Sequence, residues 1–215
     1  ALKRRGYVPE AFIKYALSIG VTLNDKSVDK EEFFKALNAF NKDFIDSTSY
    51  RHFFVWNPVE ITIKGAPEQE IELDLHPKKK EGGRAFSTKD RFYIAKEDLD
   101  SIRDGKIYRL MDCLNFRKEK GAKGSSFVFD SMEYDRFKEK GEKIIHWLPV
   151  PKNPKSLIDV EVVMDDNDEI KTFKGLGEEH MRAIEEGQTV QLERFGFCRL
   201  DEIKNNKLVF WFGHR

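Results

Sequence analysis

A mainly β protein with a helical N-terminal segment is the fold class that this sequence predicts. Residues 1–50 carry helical periodicity. After Ser47 the apolar period shortens towards two, and about ten strand-like runs follow. Gly, Pro, Asn or Asp punctuates most of the gaps between them. With 215 residues, 40% apolar and 18 of them Phe, the chain can bury a core as one large domain or two small ones. Helices followed by many short strands imply one or two β-barrels.

The first helix is expected from Pro9, which suits a first turn because its missing N–H costs nothing there. Phe12, Tyr15, Ala16 and Ile19 then share a face, and Gly20 fits the stop. A second helix is expected from Asp29, with Glu32 three residues on as a capping-box partner. Its apolar stripe is Phe33, Phe34, Leu37, Phe40, Phe44 and Ile45. The strand-like runs are HFFVWNPVEITI, QEIELDL, RFYIAKED, IYRLMDCLNF, SSFVFDS, KIIHWLPV, SLIDVEVVM, EIKTFKG, TVQLERFGFCRLDE and KLVFWFG. Only GEEHMRAIEEG reads as helical again, and HPKKKEGGR and FRKEKGAKGSS read as basic loops.

The formal net charge is zero, but its distribution is uneven. Residues 76–123 hold 14 Lys and Arg against 8 Asp and Glu, whereas 156–203 hold 5 against 13. A neutral protein can thus offer a basic region to phosphate. No apolar run approaches the ~20 residues that a membrane helix needs, and no secretory leader stands at the start. Cys113 and Cys198, both in apolar strand-like text, are expected to be reduced and buried in a cytoplasmic protein.

Catalytic signatures are missing from the text. GAKGSS lacks the ending of a phosphate-binding loop, and DDNDE at 165–169 has Ile170 where a calcium loop needs glycine. The five histidines are not spaced as ligands, and His146 beside Trp147 reads as structural. Binding without turnover is the expectation. Single-stranded bases are held by Arg and amide groups at their edges and by stacking faces. VQLERFGFCRLD, read as one strand with a bulge near Gly196, would bring Gln191 and Arg194 onto one ligand.

LKRRGYVPEAFIKYALSIGVT, RHFFVWNPVEITI, LHPKKKEGGR, IYRLMDCLNF, KIIHWLPVP and VQLERFGFCRLD occur in that order. Together they resemble the C-terminal anticodon-binding region of archaeal-type glutamyl-tRNA synthetases, within the class I glutaminyl/glutamyl family. The resemblance covers nearly the whole chain and implies a helical connector, 1–50, followed by two β-barrels of the glutaminyl-tRNA synthetase type. The proximal barrel would comprise 51–75 plus 151–215, and the distal one 76–150. The family's ATP-binding signatures are not found, and the text opens without Met, so the catalytic domain, with its ATP and Mg, is expected elsewhere in the parent ligase. This chain alone is expected to be non-catalytic and to need no cofactor.

The bacterial glutamyl enzyme reads anticodons with helices, which the strand-rich text does not fit. A glutaminyl-tRNA synthetase is an alternative, although SLIDVEVVM stands where that family has an RLYDRLF-like segment. Free-standing RNA-binding and protein-docking modules are further alternatives. The partners implied are tRNA(Glu), with tRNA(Gln) and a partner synthetase or accessory protein as further candidates.

Position by position, the resemblance implies that Arg51, Arg84, Arg109, Gln191 and Arg194 contact the anticodon. Gln191 and Arg194 match the pair that reads the middle base, and Arg109 matches a contact to the third. Glu193 is expected to hold Arg194. Lys78, Lys79, Lys118 and Lys120 are phosphate candidates, with Lys80 and Lys123 beside them.

Overall fold

Phe53 and Phe54 are sequence neighbours that pack into different cores. The computed structural model, which describes residues 1–20, 27–119, 126–166 and 169–215, shows why. FFV, residues 53–55, is an unbroken apolar run because it passes between two sheets and is buried on both faces.

The first sheet runs Arg51–His52, Thr189–Leu192, Gly196–Lys204, Lys207–His214, Ile158–Asp166, Glu169–Gly177 and Phe54–Trp56. Its two outer strands are consecutive in sequence, parted only by Phe53. One interrupted strand therefore curls the sheet nearly closed. The second sheet runs Gly141–Ile145, Ile107–Leu110, Asn115–Lys118, Phe127–Ser131, Pro58–Lys64, Arg91–Ala95 and Leu148–Pro149. It repeats the device, its outer strands parted by His146 and Trp147. Gln69–His76 and Lys79–Thr88 form a separate hairpin. Alternate residues fill each core: Val190, Leu192, Cys198 and Leu200 in the first, Ile61, Ile63, Phe92 and Ile94 in the second. Trp147 is fully buried, and its Nε1–H donates to the Met111 carbonyl at 2.9 Å.

Strand pairing differs from the expected division. Pro58–Lys64 belongs to the second sheet rather than with 158–214, whereas Leu148–Pro149, within the expected distal stretch, closes that second sheet. The change-over falls at Asn57, whose φ of 48° turns the chain. Asn tolerates this left-handed region better than most residues. Its N–H donates to the Lys174 carbonyl of the first sheet at 2.9 Å, and its carbonyl accepts from Lys96 N–H, just past the Arg91–Ala95 strand of the second, at 3.1 Å.

Pro9–Ile19 and Lys30–Ile45 are the two expected helices, and the Asp29 carboxylate caps the second through Glu31 and Glu32. Leu37 and Ile45 are buried, but Phe44 of the expected stripe is 41% exposed. Buried Asn41 ties the helices to the first sheet. It donates to the Gly6 carbonyl at 3.2 Å and lies 2.9 Å from His214 Nε2.

Two short helices, Lys96–Ser101 and Tyr134–Lys140, were not expected. At one to two turns each, they are too short to establish a period. GEEHMRAIEEG forms only a 3-10 turn, Glu179–Ala183. HPKKKEGGR is a tight turn running into a strand, not a loop. Both cysteines are free and buried. The GAKGSS reading and the tip of DDNDE lie mostly outside the described residues. Among the described residues no helix is long and apolar enough to cross a membrane, and no cluster of metal-ligating side chains occurs.

Candidate nucleic-acid interface

Arg51 and Gln191 stand opposite each other where Arg51–His52 pairs in parallel with Thr189–Leu192. Gln191 N–H donates to the Tyr50 carbonyl at 2.8 Å, and Glu193 N–H to the His52 carbonyl at 2.9 Å. The backbone thus fixes the pair. Arg51 Nη2 donates to Asp46 Oδ1 at 3.0 Å. Its Nε is buried without a partner among the described residues, and so is Gln191 Oε1. Leaving a buried polar atom unsatisfied costs about 1–3 kcal/mol. Neighbouring strands thus carry one spare donor and one spare acceptor.

VQLERFGFCRLD is not one strand. Thr189–Leu192 and Gly196–Lys204 are the arms of a hairpin, and Glu193, Arg194 and Phe195 are its turn. Phe195 N–H closes it onto the Leu192 carbonyl at 3.0 Å. Arg194 takes φ 61°, a left-handed conformation costing a non-glycine residue roughly 1–2 kcal/mol. Gly196 is required at φ 144°, because a Cβ there would lie 2.7 Å from the His214 carbonyl oxygen.

The turn also corrects the role expected of Glu193. That carboxylate does not hold Arg194. Asp98, from Lys96–Ser101, does so with both oxygens, at 2.7 Å from Nη1 and 3.1 Å from Nη2. Nη1 also donates to His146 Nδ1 at 2.9 Å. Burial pushes Asp98 up, but hydrogen bonds from Arg194 and Lys143 outweigh it, and the carboxyl lies below its ordinary value. Burial and then Arg194 bring His146 down to about 4, so the ring is neutral and can accept. Glu193 is itself raised by burial, despite Arg51 and Arg84 nearby.

Arg84 is not available at the surface. Its Nε and Nη2 fork grips Glu178 at 2.8 and 2.7 Å, and its side chain is 3% exposed. The guanidinium stacks over Phe53 at 4.5 Å. Glu178 also takes the His52 ring at 2.8 Å and Phe53 N–H at 2.9 Å. Burial raises this carboxyl, but Arg84 and His52 more than reverse that, to about 2. The cluster pins the 69–88 hairpin against the first sheet.

Arg109 lies in Ile107–Leu110, far from this row in the topology. Its Nη1 donates to Asn115 Oδ1 at 2.9 Å and the Met132 carbonyl at 3.1 Å. The guanidinium lies 5.5 Å from the centroid of Tyr134, which is 53% exposed. Lys78 and Lys79 are exposed beside Asp46 and Tyr50, at 3.7 Å from Asp46 Oδ2 and 5.9 Å from the ring centre. They extend the Arg51 row. Lys118 pairs with Asp104 at 3.0 Å on the second sheet. Lys120 and Lys123 lie outside the described residues.

Residues 49–135 and 122–201 match two family models, each described as tRNA synthetases class I (E and Q), anti-codon binding domain. The chain belongs to this family. Similar proteins named glutamate–tRNA ligase include those of Methanobrevibacter smithii, 35% identical over 218 residues, Pyrococcus abyssi, 33% over 218, and Methanococcus maripaludis, 36% over 217. Each alignment takes in the whole of this chain and 36% of the relative. The chain thus spans about a third of the length of the curated relatives it matches.

Within this anticodon-binding member, Asp98 and His146 were absent from the expected set. Asp98 is 96 residues from Arg194 in sequence, and nothing local in KEDLDS announces a buried carboxylate. His146 offered a signal in its apolar strand-like run, but not its partner.

Proposed function

We propose that this chain is the tRNA-reading part of a glutamate–tRNA ligase, its two curled sheets acting as anticodon-binding barrels of the glutaminyl-tRNA synthetase type. The observation that carries this is the unsatisfied pair Arg51 Nε and Gln191 Oε1 on neighbouring strands of a family member. Uracil offers an N3–H donor flanked by carbonyl acceptors. Gln191 Oε1 takes the N3–H and Arg51 Nε–H gives to a carbonyl. Cytosine has an acceptor at N3 and meets Gln191 Oε1 with repulsion.

The middle base, U in both tRNA(Glu) and tRNA(Gln), is assigned to this pair and to Arg194. The third base, at which those anticodons differ, is assigned to Arg109, stacked on Tyr134 and steadied by Asn115. Lys78 and Lys79 neutralise phosphates beside the first pocket. Arg84 acts through Glu178, holding the hairpin that carries those lysines. Glutamate activation, with ATP and Mg, belongs to the rest of a cytoplasmic parent ligase. Footprinting of tRNA(Glu) bound to this chain is the test. Protection confined to the anticodon stem and loop is expected, and protection centred on the acceptor end would overturn the reading.

A further inference from the structure

Arg194 combines three features that a surface arginine does not need. Its backbone is held at a positive φ on a three-residue turn. Its Nη1 and Nη2 tips are gripped end-on by both oxygens of Asp98, a residue that is itself 3% exposed. Its remaining Nη1 hydrogen goes to His146, which stacks on Trp56 at 5.1 Å between ring centres. Among the described residues, this leaves the Nε–H and the outer Nη2–H without partners. These two hydrogens form the parallel fork with which arginine recognises planar acceptors. Arg84 uses the same fork on Glu178.

On the reading that Arg194 meets the anticodon, we infer that Asp98 is a positioning residue for base recognition. It pins the guanidinium end-on, so that the side-on fork faces the base before RNA arrives. Lys143, at 2.7 Å from Asp98 Oδ1, and neutral His146 are the other polar groups facing that carboxylate. Asp98 and His146 are carried by elements of the second sheet's half, whereas Arg194 is carried by the first sheet. The contact therefore makes middle-base recognition depend on how the two sheets are seated. A fork fixed in advance loses less rotamer freedom on binding.

The test is a binding cycle with tRNA(Glu) transcripts carrying U or C at the middle anticodon position. Arg194→Ala is expected to lower the preference for U roughly tenfold. Asp98→Asn, close in shape but uncharged, is expected to lower it roughly threefold or more, with little further loss in the Arg194→Ala background. Asp98→Glu keeps the charge but shifts the fork, and is expected to fall between Asp98→Asn and the parent. It also serves should the Asn variant unfold. A second readout needs no RNA: the Arg194 guanidinium Nη resonances, separate when rotation is blocked, should merge in Asp98→Asn. An unchanged preference for U in Asp98→Asn, or losses that simply add with Arg194→Ala, overturns the positioning role while base reading stands. No preference for U in the parent chain overturns base reading itself and the positioning role with it.

Discussion

Arg51 and Gln191 face each other across a parallel strand pair, and each buries one polar atom that no described neighbour satisfies. The free protein bears that cost, and on the proposed function a bound base recovers it. Gln191→Met removes the unsatisfied oxygen with little change in volume, so it should leave Tm unchanged or slightly higher. The same substitution should weaken binding of a U-centred anticodon by ~1–3 kcal/mol. Thermal melts and RNA titrations on one variant check both halves.

Glu178 should govern acid stability. Its folded pKa of about 2 lies below the ordinary carboxylate value. The stability it contributes is therefore complete above pH ~5 and is lost as pH falls towards 2. Glu178→Gln leaves Arg84 and His52 without their buried anion and should cost ~3–5 kcal/mol. Urea midpoints measured against pH should fall more steeply for the parent chain than for this variant.

His146 shifts the other way from an ion-paired histidine. Burial holds it neutral down to about pH 4, while the unfolded ring titrates near its ordinary value. Between about pH 6.5 and 4 the unfolded chain binds the extra proton, so this group makes stability fall as pH falls through that window. An NMR titration of the ring should show no protonation midpoint near 6.5.

Arg109→Ala should spare the middle-base preference and erode discrimination at the third position, read with RNAs that differ only there. Asn115→Ala should instead cost ~1–3 kcal/mol of stability, because fully buried Asn115 also donates to Ser131 Oγ and the Glu133 carbonyl at 2.8 Å each. Separate responses in binding and melting distinguish the two residues.

Local signals made much of the fold legible. Pro9, Gly20 and Asp29 marked the helix ends because caps are local. The turn within VQLERFGFCRLD was harder to read. Its alternation continues through a hairpin whose reversal depends on Arg194 adopting a positive φ, which arginine rarely does. The change of sheet at Asn57 was equally hidden, since HFFVW and PVEITI both read as strand. In the site, the residues that stand opposite each other are Arg51 and Gln191, whereas the sequence suggested Gln191 with Arg194. The burial of Arg84 and the support of Arg194 were hidden, because their partners Glu178 and Asp98 lie 94 and 96 residues away. Long-range ion pairs leave no periodic trace.

The most direct measurement is titration of this chain with tRNA(Glu), tRNA(Gln) and tRNA(Glu) altered at the middle anticodon base, at two salt concentrations. Both natural anticodons should bind more tightly than the altered one, with a gap that persists at the higher salt. Equal affinity for all three, falling together as salt rises, would mean phosphate contact alone and would contradict base reading by Arg51, Gln191 and Arg194.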